Sequence, residues 1–155
     1  MLTQTLYDQD FHQWIEKTIN QLEQKDFKNL DINHLIEELK DLGKSDKNAL
    51  ESNLVILLAH LLKLKVQADV PDTMKTSWYR SIIEHRERLF IQLENILSLK
   101  SYLPTILNTS YPKSRKLAIK ESKLAAFGIP LPQEKDYPLI CPFSLEQILN
   151  EDFYG

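Results

Sequence analysis

His60 is the one polar side chain in "LVILLAHLL", residues 54 to 62. An imidazole is the side chain whose ordinary pKa lets it pass a proton near neutral pH. Three readings of His60 are open: part of a water-facing seam, a structural histidine bonded to a neighbouring helix, or a ligand or proton-transfer group. On a helical wheel Asn53, Lys63 and Gln67 fall within about 60° of it, so the four make one narrow polar seam on an otherwise apolar helix. The first expectation is that this seam faces water.

Arg86 is the second residue out of place. It falls inside the apolar stripe of its helix, about 40° from Ile82 and between Trp78 and Leu93. A guanidinium taken out of water must be paired and hydrogen-bonded. Glu38 is the first expected partner and Glu37 the next, giving a structural clamp between two helices. The other readings are a stem that snorkels to solvent and an anion-binding arginine.

His34, Glu38 and Asp41 share a helix face at i, i+4 and i+7, a weak divalent-metal pattern. The Glu-x-x-His pairs of a di-metal bundle are missing, as are His-Glu-x-x-His, a glycine-rich phosphate loop and a cysteine nucleophile with partners. No metal ligand, cofactor or catalytic residue is therefore assigned. Lys113, Lys116, Lys120 and Lys123 fall in an arc of about 80°, opposite Tyr111, Ala118 and Ala125. Such a stripe suits a phosphate backbone, but no aromatic side chains interleave with it, so base stacking is not indicated. A solvated helix face is the plainer reading.

These residues need helices to position them. Tyr7, Phe11, Trp14, Ile15, Thr18 and Leu22 share one arc, with Asp8 or Asp10 as the N-cap. A second helix opens at Asp31. Its apolar stripe, Ile32, Ile36, Leu39, Leu50, Leu54 and Leu57, stays within about 40° of one line, which predicts one long helix through Gly43, bent there if anywhere. A third runs from a cap at Thr76 or Ser77 to about Leu97, with Arg80, Glu84 and Arg88 as an exposed ladder. A short fourth helix and a longer fifth follow, the fifth with Pro112 near its first turn and Gly128 as its stop. "IPLPQEKDYPLICPF" concentrates four of the seven prolines and reads as an extended strap, with Leu131, Ile140, Phe143 and Phe153 docking on the bundle. "SLEQIL" is a last helical turn or two.

The expected class is all-α: a bundle of about five helices over 1–128 and a proline-rich strap over 129–155, together one domain in 155 residues. The net charge of −3 is uneven, with a basic stretch over 73–125 between acidic flanks. A single cysteine excludes a disulfide framework, and the cytoplasm is the expected compartment. No signal-peptide pattern opens the chain, and the longest apolar run is too short to span a bilayer, so no membrane partner is expected.

Taken in order, "YDQDFHQW", "LDINHLIEELKDLG", "LLAHLLK", "SWYRSIIEHR" and "CPFSLEQILNEDF" closely resemble the prokaryotic, notably cyanobacterial, family called domain of unknown function 29. The resemblance covers almost the whole chain. It implies an all-helical soluble protein whose recurrent polar positions are Asp10, Glu37, Glu38, His60, Arg86 and Asn150 here, and it transfers no activity. Two segments depart from the family pattern: "ADVPDTMKT" is less basic than usual, and "ESKL" stands where Glu-Thr-Gly-Leu is common. The leading functional expectation is a non-enzymatic helical interaction module that self-associates or binds a partner protein. The alternative is a nucleic-acid-associated regulatory or defence-type protein using the helix-five lysines, and below that a metal- or His60-dependent enzyme.

Overall fold

The computed structural model describes residues 4–124 and 131–155, and among them every regular element is helical. The expected stop at Gly128, and Ala125 on the fifth helix, lie outside the described residues. The chain divides into two compact units, Met1–Ser45 and Asp46–Gly155.

In the first unit, α1 (Leu6–Gln9) and α2 (Phe11–Glu23) replace the single expected helix. Asp10 is the reason: its backbone is extended, and its carboxylate accepts from the Gln13 amide as the N-cap of α2. Asp8 instead closes a capping box with Thr5 at the start of α1. Trp14 and Thr18 are the buried part of the predicted arc. After a 3₁₀ turn at Phe27–Asn29, α3 (Ile32–Val66) begins.

That helix is continuous through Gly43, as the unbroken phase of its leucines predicts. In the second unit its later half carries the core, with Leu50, Leu54, Leu57, Leu58, Leu61 and Leu62 fully buried. Around it pack Ile82 and Leu89 of α4 (Asp72–Asn95), Leu103, Ile106 and Ala118 of α5 (Leu103–Leu124), and Ile148 of α6 (Leu145–Leu149).

Two boundaries differ from expectation. α4 begins right after Pro71, which suits a helix start because proline carries no amide hydrogen to satisfy. Thr76 and Ser77 lie inside α4, their hydroxyls donating back to the carbonyls of Asp72 and Met74 rather than capping. Likewise the expected fourth and fifth helices are a 3₁₀ turn at Leu97–Tyr102 and one continuous α5 with Pro112 in its interior. Among residues 131–143 of the strap the one regular element is a 3₁₀ turn at Glu134–Asp136. Phe143 and Tyr137 are buried, but Ile140 is 84% exposed and Leu131 45%, so neither docks as expected.

Candidate functional site

The seam residues lie along α3 and its end, but three of them bond to three different elements and the fourth, His60, to its own helix. Asn53 donates from Nδ2 to Gln92 Oε1 at 2.9 Å, and its Oδ1 lies 3.0 Å from His85 Nδ1, so it serves α4. Lys63, only 5% exposed, reaches Glu121 on α5 and lies over the ring of Trp78. Gln67 donates to the Tyr137 hydroxyl on the strap at 3.0 Å. His60, half-buried, sits 2.8 Å from the Ile56 carbonyl through Nδ1. A carbonyl only accepts, so Nδ1 carries the hydrogen and Nε2 is left as the basic nitrogen of the neutral ring. The seam is thus mostly an internal joint between helices, and not the water-facing strip expected. Glu121, which closes it, escaped the sequence reading because it is one acid among lysines.

Arg86 is 2% exposed, yet its partner is no carboxylate. Its Nε and Nη2 donate at 2.8 Å to the carbonyls of Ile148 and Phe153, and Nη1 donates to that of Glu151 at 3.4 Å. The expected clamp to Glu37 or Glu38 is corrected accordingly: Arg86 takes the backbone carbonyls of the C-terminal segment, of which the bond to Ile148 is buried. Glu38 accepts from the Tyr7 hydroxyl instead, and that bond, with burial and nearby acids, pushes the Tyr7 pKa up to about 12. Beside it the His34 ring stacks on Tyr7, with centroids 4.0 Å apart, and Asp31 holds His34 Nδ1 at 2.6 Å and the Trp14 indole at 3.2 Å.

Over Arg86 lies a cleft of about 670 Å³ with Ile83, Phe90, Ile91 and Tyr154 as its apolar wall and Glu87, Glu94, Glu151 and Asp152 around it. Among the described residues no three His, Cys, Asp or Glu groups converge tightly enough to hold a metal ion, and that includes His34, Glu38 and Asp41. On α5, Lys113 is paired with Glu51 at 2.6 Å, while Lys116, Lys120 and Lys123 are exposed. No helix among the described residues is long and apolar enough to cross a membrane.

The family model for Domain of unknown function DUF29 matches residues 6–154. This chain belongs to the DUF29 family. Comparison of the DUF29 chain with curated proteins and with solved structures gives no match.

The histidines of this DUF29 protein give a test of the geometry. Burial lowers the pKa of His60 and of His85 below the ordinary 6.5, whereas the bond to Asp31 raises that of His34. The His34 contribution to stability is therefore complete below about pH 6.5 and fades as pH rises through its folded value. Asp31, held low by the same bond, loses its contribution as pH falls through its own folded value. For His60 and His85 the sign is opposite: the unfolded imidazole takes the proton first, so stability falls as pH drops below about 6.5. NMR titration is expected to place His34 above both His60 and His85. The reverse order would mean that the Asp31 bond does not form in solution.

Proposed function

We propose that this DUF29 protein is a non-enzymatic interaction module that docks through the first turns of α3. The observation that carries the reading is an apolar stripe left in water: Ile32, Ile36, Leu39 and Leu42 are 52, 44, 62 and 69% exposed. At those exposures the four side chains leave on the order of 400 Å² of apolar surface, in the range where a patch on a monomer is commonly functional. The seam residues support the same reading from the other side. Asn53, Lys63, Gln67 and Arg86 are spent on internal bonds and are not gathered around a reacting centre.

The test is a photo-crosslinking residue at Leu39 in the full chain, expressed in its own cells, with a second probe at the exposed Glu146 as reference. A single adduct of fixed mass is expected at Leu39, none at Glu146, and loss of the adduct when Leu42→Lys is added. Absence of any adduct at Leu39 would overturn the reading.

The second reading, association with nucleic acid, is favoured by Lys116, Lys120 and Lys123 exposed along α5, although Lys113 is partly neutralised by Glu51. It predicts binding that falls steeply with salt, with a slope about two lower after Lys116→Gln and Lys120→Gln. Binding insensitive to salt would sink it.

A further inference from the structure

We infer that the occupant of the bare α3 face is a second copy of this chain, packed antiparallel about a two-fold axis near Leu39. This rests on the docking reading above and adds the identity of the partner and the direction of pairing.

The face has a definite shape. Ile32, Ile36, Leu39 and Gly43 lie within about 40° of one line, with Leu35 and Leu42 on one flank and Lys40 and Lys44 on the other. Gly43 is the odd residue on it. A glycine inside a helix disfavours that helix relative to alanine, and a Cβ built on Gly43 meets nothing within 4 Å. Nothing among the described residues therefore requires the missing side chain, which leaves a notch on this exposed face.

Symmetry then selects the direction. An axis perpendicular to the helix brings equal flanks of two copies together, whereas an axis along it brings opposite flanks together. Only the perpendicular axis sets the leucine flank, Leu35 and Leu42, against its equivalent and leaves Lys40 and Lys44 at the outer edge in water. It also opposes the two helix dipoles. With the axis at Leu39, Leu39 meets its own copy, and Gly43 lies beside the partner's Ile36, which falls on the same side of the Leu39 line and within one residue of the same level. Two such faces bury on the order of 800 Å² from four side chains apiece, and Leu35 with the lysine stems extends this toward the low end of specific interfaces.

The experiment uses the full chain in a Cys141→Ser background, because Cys141 is the single native thiol. Sedimentation of the purified protein at tens of micromolar is expected to give twice the 18.2 kDa chain mass. Leu39→Cys is expected to form a disulfide-linked dimer on mild oxidation, and Ile32→Cys is not. In the antiparallel pair the two Ile32 positions are about 20 Å apart along the helix, far beyond disulfide reach. Gly43→Leu, which fills the notch, is expected to weaken association at least tenfold with the circular dichroism unchanged.

Disulfide formation at both positions would overturn the antiparallel pairing. A monomeric purified chain that still gives the single Leu39 adduct in cells, at the mass of a different protein, would overturn the second copy and leave the docking reading standing. A monomer with no adduct would overturn both. The disulfide pattern is read on near-native, exposed positions, so it decides the proposal even if Gly43→Leu folds poorly.

Discussion

Arg86→Met is expected to lower the thermal midpoint by about 10 °C and to loosen the segment from Ile148 to Phe153 before the rest of the second unit. Methionine fills most of the stem's volume and removes the desolvation of the guanidinium, which is what lowers the Arg86 pKa. What it cannot do is donate to the carbonyls of Ile148, Glu151 and Phe153. Each buried acceptor left without a donor costs about 1 to 3 kcal/mol, and relaxation of the two nearer the surface toward water brings the sum to about 3 to 4 kcal/mol. For a chain of this length each kcal/mol moves the midpoint by about 2 to 4 °C. Arg86→Lys is expected to recover little, since a single ammonium does not reproduce the fork that spans three separate carbonyls. Thermal melts give the size of the effect, and hydrogen exchange at residues 148–154 gives its location. A melt within 2 °C of wild type, with unchanged exchange in that segment, would show that the carbonyls find water at no cost.

Arg86 also marks the limit of what was legible in the sequence. Its burial follows from its place in the stripe of Trp78, Ile82, Leu89 and Leu93, because helical phase is a local property. Its partners do not follow, because backbone carbonyls have no residue-type signature and every residue of the C-terminal segment offers one. The same contrast runs through the chain. The continuity of α3 is written in the register from Ile32 to Leu57, and Gly43 alone does not break it. The start of α4 is less legible, since Thr76 and Ser77 resemble caps as well as the true boundary at Pro71 does. Glu38 carries the Tyr7 bond rather than a clamp, because its position at the margin of a stripe names a direction and not the residue waiting there. As for the site, Asn53, His60, Lys63 and Gln67 are identifiable as a seam, while the separate acceptors of Asn53, Lys63 and Gln67 come from three elements that only the fold brings to α3. The exposed stripe from Ile32 to Leu42 is the converse case. Periodicity marks it as apolar and cannot distinguish a buried stripe from an exposed one, whereas the structure gives its exposure directly.

The second large effect is expected from Glu121→Ala, which leaves the Lys63 ammonium buried without its carboxylate. Lys63 side-chain exposure is 6% and Glu121 is at 36%, so the acid can be reached by water and the lysine hardly can. Removing one partner of a buried pair commonly costs about 3 to 5 kcal/mol. Solvent near Glu121 and the Trp78 ring beneath the ammonium, 4.9 Å from its centroid, reduce this here to about 2 to 3 kcal/mol. Lys63→Met is expected to behave differently, within about 1 kcal/mol of wild type, because it removes the buried charge and keeps an apolar stem at this buried position beside Trp78. Adding Lys63→Met to Glu121→Ala should therefore restore most of the lost stability, a rescue of about 2 kcal/mol by a second substitution. Urea unfolding of the four proteins measures it. If the two losses simply add, the two side chains are not coupled, and if each single change costs as much as the double, the bond between α3 and α5 is a true source of stability. If the lysine change rescues, the pair contributes direction rather than energy: the charge at residue 63 tolerates α5 only in the register that brings Glu121 to it. That register also fixes where Lys116, Lys120 and Lys123 emerge on the outer side of α5.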